Sequence, residues 1–531
     1  MNGKLIVLGV ALGAIGGCEV GPNYKAPKMA VPQVFGAAAT QPSATQPATQ
    51  PVEAVDIGRW WESFHDPALN QLIARGVKSS LDVRLAEARV REARAQLEGN
   101  VASLFPTVDS AASYARSRTS KNAISIGGST GPGSSTGTGG TTTGGTGTGG
   151  TGGTNGGGTT SSGTTTSSPF AFALGTTNLY QAGFDAGWEI DVFGGTRRAI
   201  EAAQYTLEAQ VDARRNATIT LLSEAARNYI ILRGLQQELA IVRDNVASQN
   251  DFLDLTKAKF QAGIATDLDV ARQQAQVATT ESEMPTLETE IQQAIHRLGV
   301  LLDRNPTDLE AELTPIGPLP GGPPEVPAGL PSELLRRRPD VLQAERQLAA
   351  SNANIGVATA DLFPKFNLTG SFGFESLQLK SWFNSPSQFW SFGPSVQWRI
   401  FDAGQIFANI RVQNARQQEA VIQYRQAVLQ SLSDVEDALT AYHKEQTRRE
   451  ALQRSVEANE RSVSLAKQLN QAGLVDFLNV LTAEQSLFLS QDQLAQSNQT
   501  VSTNLVALYK ALGGGWEITE QAMPQQSASA Q

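Results

Sequence analysis

Few side chains in this 531-residue chain could carry covalent or metal chemistry, and most are poorly placed for it. Its single cysteine, Cys18, excludes an intrachain disulfide and a Cys-based zinc site. His65, His296 and His443 are scattered, and His296 has no ligand partner at helical spacing. Asp434, Glu436 and Asp437 are of the types that do general acid–base work, but their heptad-patterned surroundings read as a solvated helix face. The glycine-rich stretches lack the Lys-Ser/Thr of a phosphate loop. Asp267, Asp269 and Asp476 follow glycine turns at Gly263 and Gly473. There an acid reads from its position as a helix N-cap. A net charge of −9 with no basic block argues against nucleic acid. No enzyme, metal or cofactor site emerges, so the order of the elements has to supply the function.

The N-terminus reads as an address. A short positive start, Met1 to Lys4, precedes an apolar stretch that ends Ile15-Gly16-Gly17-Cys18. This resembles a bacterial lipobox, making residues 1–17 a removable signal and Cys18 the lipidated first residue. Glu19 in place of Asp favours the outer membrane. Residues 18–58 form a tether, rich in Ala, Thr, Gln and Pro over 36–52, before Trp60-Trp61-x-x-Phe64 reopens folded structure. Beyond the signal no apolar run reaches about 18 residues, so no spanning helix follows.

The remainder is one unit written twice. Asp82-Val83 and Leu104-Phe105-Pro106 recur 258 residues later as Asp340-Val341 and Leu362-Phe363-Pro364. Trp188-x-Ile190, Gln261-Ala262-Gly263 and Leu268-x-Val270 recur 210 residues later as Trp398-x-Ile400, Gln471-Ala472-Gly473 and Leu478-x-Val480. The surplus in the first copy is a low-complexity insert. Residues 127–168 are Gly, Thr and Ser except Pro132 and Asn155, a composition expected to form a flexible loop. The first copy spans 59–305, with strands over about 105–118 and 178–192, an inserted loop at 119–177, and helices over about 66–103, 196–262 and 266–304. The second spans 336–515, with strands over about 364–376 and 388–401 and helices over about 338–361, 404–472 and 475–512. A Pro-rich crossover at 306–335 joins them as a connector outside the core, and a flexible tail is expected over 516–531. Pro285 should kink its helix. The run Arg336-Arg337-Arg338 should pair with acids.

Strand identity comes from period-two alternation. Tyr180, Ala182, Phe184, Ala186 and Trp188 alternate with Gln181, Gly183, Asp185 and Gly187, and Phe366, Leu368, Phe372 and Phe374 alternate with polar residues. Soluble sandwiches and outer-membrane barrels share that pattern. In a membrane, four strands cannot close a barrel and an open sheet would leave unpaired backbone, so several chains would have to share one. The helices are rods: Leu232, Leu239, Val246, Leu253 and Phe260 fall every seven residues, as do Val421, Val428, Val435 and Tyr442. Gly263 and Gly473 turn them back.

Together these motifs resemble TolC/OprM-type outer-membrane efflux factors, in the lipoprotein branch that serves resistance–nodulation–division (RND) pumps. The residues that carry the likeness are Cys18-x-x-Gly21-Pro22-x-Tyr24, Trp60-Trp61-x-x-Phe64-x-Asp66-Pro67, and Trp188-Glu189-Ile190-Asp191-Val192-Phe193-Gly194. Arg338-Pro339-Asp340, Phe401-Asp402-x-Gly404 and Val435-Glu436-Asp437-Ala438-Leu439 complete the set. The resemblance implies an α+β membrane protein. In a homotrimer, a twelve-stranded transmembrane β-barrel with four strands per chain would be continuous with a twelve-helix periplasmic α-barrel. The implied partners are a periplasmic adaptor, an inner-membrane RND pump and outer-membrane lipid. The implied function is passive exit of drugs or other small toxic compounds, with no cofactor beyond the lipid on Cys18. Ducts for type I protein secretion or metal-ion efflux share the pattern, and a periplasmic coiled-coil scaffold lipoprotein is the reading from another class. The resemblance places the adaptor-docking tip at Gly263, Ile264, Gly473 and Leu474. It matches Leu478 to an apolar gate residue and Asp269 to an acid tying neighbouring helices. Asp267 and Asp476 stand near an entrance ring, where Thr482 replaces a common acid.

Overall fold

The computed structural model describes residues 19–27, 29, 32, 57–118, 176–322 and 336–521. The signal, Cys18, the 36–52 tether, the Gly/Thr insert and residues 522–531 lie outside the described residues. Two compact units result. Met1–Phe105, Glu189–Phe366 and Val396–Gln531 make one, and Pro106–Trp188 with Asn367–Ser395 make the other.

The first unit is helical. After a 3-10 segment at Ile57–Phe64, Asp66 opens α1 (Pro67–Ser79), its carboxylate accepting from the backbone N–H groups of Ala68 and Leu69. The single helix expected over 66–103 is in fact two, because Ser80 turns to a ψ of 129° before α2 (Leu81–Ala102). The Ser79 hydroxyl donates to the Leu302 carbonyl at 2.7 Å, which ties down the break. The first rod is α3 (Gly195–Gln261), followed by α4 (Asp267–Glu281) and α5 (Met284–Leu301). The break between α4 and α5 falls just before Pro285, whose missing N–H cannot continue the helix ladder. The second copy gives α6 (Pro339–Ala360), α7 (Gln405–Gln471) and α8 (Phe477–Ala511). Both α3 and α7 are 67 residues long, about 100 Å at 1.5 Å per residue.

The repeated Asp-x-x-Gly and Asp-x-Gly motifs now have a physical reason. Gly194 and Gly404 take left-handed φ of 79° and 86° at the starts of the rods. Asp191 accepts from the Arg197 backbone N–H at 2.9 Å, and Asp402 from that of Ile406 at 2.7 Å. Each acid therefore satisfies orphan donors at a rod's N-terminus. The heptad residues Leu232, Leu239, Val435 and Tyr442 are buried in one core with Leu298 and Leu505. There Trp60 stacks on Tyr509 with centroids 5.3 Å apart.

Two further expectations require correction. The crossover is not wholly outside the core: Leu309 and Leu313 are buried, and Arg233 and Gln236 donate to the carbonyls of Pro315 and Leu313. Prolines remove donors, but here buried polar side chains of α3 satisfy the carbonyls they leave. Nor is the tail free from its start. Glu517–Gln521 form a short helix, α9, whose Glu517 pairs with Arg337 at 2.9 Å and whose Glu520 pairs with Arg215. The third arginine of the basic run goes deepest. Arg338, side chain 9% exposed, grips Asp340 through Nε and Nη2 and reaches Asp434 at 2.9 Å. Its Nη1 donates to the carbonyls of Ala511 and Ser431. One guanidinium thus joins α6, α7 and α8.

The segment that follows Cys18 is docked as well. Val20 donates to the Phe193 carbonyl at 3.2 Å, and buried Arg198 donates to Val20 O and to Asn23 Oδ1 at 2.6 Å. Asn352 donates to Pro22 O, and Gly21, at φ 95°, lies so close to α6 that a Cβ would meet Gly356 Cα at 2.5 Å. A side chain at residue 21 therefore meets both backbone strain and backbone atoms. Gly21→Val should release residues 19–27, read as lost hydrogen-exchange protection of the Val20 amide with the helices unchanged. Retained protection would show that the strap tolerates a side chain there.

The second unit is a four-stranded sheet in the order β1 (Thr107–Arg118), β2 (Thr176–Ile190), β3 (Lys365–Ser376) and β4 (Gln388–Gln397). β1 and β2 are antiparallel, with Tyr114 opposite Tyr180 and their rings 4.8 Å apart. Trp382 lies 5.5 Å from Tyr180 and stacks on Phe383. Ser371 and Ser391 share a hydrogen bond on the polar face. Within the chain β1 and β4 are the sheet's edges, and every residue of β1 is exposed.

Candidate gate at the helix-hairpin tips

Each rod ends in the same turn. Gly263 and Gly473 take φ of 74° and 71°. Ile264 N–H donates to Lys259 O and Leu474 N–H to Leu469 O, both at 2.9 Å, while each glycine N–H bonds three residues back. This is the Schellman closure, in which a left-handed residue satisfies the last carbonyls and reverses the chain. It leaves Ile264 and Leu474 at the extreme of each turn, 77% and 72% exposed. Large apolar side chains held out in water at two equivalent points form a surface suited to a partner.

The returning helices start differently. Thr266 caps α4 in a capping box with Asp269. The Asp269 carboxylate accepts from both the Thr266 N–H at 2.9 Å and the Thr266 hydroxyl at 2.7 Å. Those bonds hold its carboxyl below the usual carboxylate range. The acid that the sequence offered as a tie between helices is thus engaged at its own N-terminus. Asp267, in the first turn of α4, is exposed. Asp476 occupies the N-cap position of α8 but makes no side-chain capping bond. Thr482 turns its hydroxyl back to the Leu478 carbonyl at 2.8 Å. Leu478, on the first turn of α8, is 54% exposed.

Asp269, Asp476 and Leu478 line one groove of about 370 Å³, with Phe252, Lys259, Arg272, Asn470 and Phe477. Lys259 Nζ donates to Asn470 Oδ1 at 2.9 Å across it. Phe252 and Phe477 lie outside the motifs that the sequence offers for the tip. A signal existed, because the repeat sets Phe477 against Asp267 of the first copy, a break in the symmetry. Among the described residues no group of His, Cys, Asp and Glu could hold a metal ion. No described helix is long and apolar enough to cross a membrane. The only described elements with membrane-strand patterning are the four strands.

The family model for outer membrane efflux proteins matches residues 153–303 and 330–514. The chain belongs to the outer membrane efflux protein family. The efflux protein is 30% identical over 99% of both chains to the antibiotic efflux pump outer membrane protein ArpC of Pseudomonas putida. It is 29% identical to the cation efflux system protein CusC of Escherichia coli, over 97% of this chain and 99% of that one. The solved outer-membrane channel OprN superposes with a TM-score of 0.79 at 32% identity, over 94% of this chain and all of OprN. The fold class is therefore that of these channels, long helices with four strands per chain. This efflux protein is an outer-membrane channel of a Gram-negative cell, extending into the periplasm.

Proposed function

We propose that three copies of this channel close one twelve-stranded barrel and form a passive exit duct. A periplasmic adaptor and an inner-membrane RND pump deliver cargo to it. The observation that carries the reading is the open four-stranded sheet, with unpaired edges at β1 and β4. In hydrocarbon those edges would leave backbone donors and acceptors unpaired at several kcal/mol each. Pairing β4 of one copy with β1 of the next removes every edge. After removal of the signal, an acylated Cys18 tethers each copy to the outer membrane, and the docked strap at residues 19–24 continues from that cysteine.

Relatives named for antibiotics and for cations resemble this chain about equally, which favours selection of cargo by the pump over selection by the duct. Small toxic compounds are the class proposed here. The adaptor docks at Ile264 and Leu474 beside Gly263 and Gly473. Leu478 narrows the entrance, and Asp267, Asp269 and Asp476 contribute negative charge there, with Thr482 in place of a further acid. Opening is a shift between closed and open packings of the tip.

Purified in detergent, the protein should cross-link as a trimer rich in both helix and sheet, and form channels in planar bilayers. In those bilayers Leu478→Ala should raise ion conductance several-fold by trimming the apolar constriction. A monomer that forms no channel would end the duct reading, and unchanged conductance would remove Leu478 from the gate.

A further inference from the structure

The two hairpins at the tip are held together internally by one kind of contact and against each other by another. Within the first, Leu253, Val270 and Val277 make an apolar seam, and buried Gln273 donates to the Gln249 carbonyl at 3.1 Å. Within the second, Val463 and Val480 are buried, and Asn459 donates to Ser486 O and Ser490 Oγ. There too Lys467 Nζ lies 2.8 Å from Glu484 Oε1. Between the hairpins run three polar contacts: Asn245 with Gln491, Gln485 with Gln276, and Lys259 with Asn470. The aromatic exception is Phe252 of α3, 8% exposed, stacked on Phe477 of α8 with centroids 5.5 Å and planes 9° apart. The Lys467 ammonium sits 5.8 Å over the Phe252 ring.

These contacts respond differently to separation. Side-chain amides at a wet surface exchange a partner for water with little net change. A stacked aromatic pair keeps its apolar area from water only while the hairpins touch. The stacked pair at Phe252 therefore favours the joined state in a way the amide pairs do not. Further along the rods the hairpins share one buried core, including Leu232, Leu298, Val435, Tyr442 and Leu505. Separation is thereby confined to the tips.

We propose that Phe252, Phe477 and Lys467 form a clasp between the hairpins of the two repeats, and that parting it opens the tip. The proposal rests on the reading of the tip as the gate. Phe477 immediately precedes Leu478, so a ring leaving the Phe252 seat carries the constriction residue with it. Lys467 is paired with Glu484 of its own hairpin, so no ion pair has to break when the hairpins part. Asp269 stays in its capping box throughout.

The test uses the full-length channel in planar bilayers. Phe252→Ala should raise the open-to-closed ratio roughly tenfold, in line with the loss of a buried stacked ring. The pair Phe252→Cys with Phe477→Cys should conduct less than wild type when oxidised and recover with reductant. Leu478→Ala serves as the control for the gate reading alone. If Leu478→Ala opens the channel while Phe252→Ala behaves as wild type, the clasp is wrong and the gate stands. If the oxidised cysteine pair, with its cross-link verified by mass, conducts as freely as the reduced one, the clasp is wrong. Should Phe252→Ala fail to assemble, the cysteine pair decides by itself. Silence of Leu478→Ala as well as the clasp variants would reject the gate and the clasp together.

Discussion

Replacing Arg338 with Met should lower the stability of the folded chain by about 3 kcal/mol, the low end of what breaking a buried ion pair costs. The guanidinium satisfies two carboxylates and two carbonyls drawn from three helices. A thioether of similar length would fill the space but donate to none of the four acceptors, leaving Asp340 with the Val341 N–H and Asp434 with the Gln430 side-chain amide. The carboxylates of Asp340 and Asp434 are about a third exposed and can rehydrate in part, which sets the effect at the low end. The carbonyls of Ser431 and Ala511 are not so placed, since both residues are buried. Arg338→Lys should recover less than half, because an ammonium cannot span the bidentate and backbone acceptors together. Heat resistance in detergent would read the loss, as a drop of about 3 °C. An unchanged midpoint would mean that the three helices hold together without the guanidinium.

Glu238 should make the helical unit less stable as pH rises. It is 8% exposed on α3, and burial pushes its carboxyl up to about 7, with Asp492 of α8 and Glu290 of α5 adding repulsion. Burial also raises the Asp492 carboxyl. A carboxyl with a folded value above its ordinary 4.5 is bound to a proton more readily in the folded state than in the unfolded one. Between those two values stability therefore falls with rising pH, and above about 7 the full penalty is present. At about 1.4 kcal/mol per pH unit the penalty is of the order of 3 kcal/mol. Glu238→Gln should leave stability unchanged at pH 4 and raise it progressively up to about pH 8. Denaturant midpoints of the two proteins across that range would show it. A gain that is equal at both ends would mean that the carboxyl does not titrate in the folded protein's range.

Much of this architecture could be read directly because its signals are periodic and repeated. Strand alternation around Tyr180 and Phe372 and the heptads through Leu232 and Val435 depend on one face meeting a core or lipid, which any such sequence displays. Gly263 and Gly473 were legible for a similar reason, since a left-handed turn tolerates few other residues. What escaped was set by contacts distant in sequence. Ser80 breaks a helix that its neighbours favour, and nothing local announces the Leu302 carbonyl that receives the Ser79 hydroxyl. Leu309 and Leu313 were hidden by surrounding prolines, although their spacing of four was a helical signal. At the tip, Asp269 carried two meanings in the sequence, and hydrogen bonds to Thr266 were needed to show what its carboxylate holds. Phe252 adjoins the heptad residue Leu253, and no local pattern sets it apart.

The equal length of α3 and α7 limits how such a molecule can change. Removing seven residues from one rod alone would preserve its heptad phase yet shorten it by about 10 Å. The two hairpin tips would then end at different heights, low at one repeat and high at the other. Lengthening or trimming is consequently tolerable only when both halves of the gene change in step, a bookkeeping that a duplicated origin makes easy at first and drift makes steadily harder.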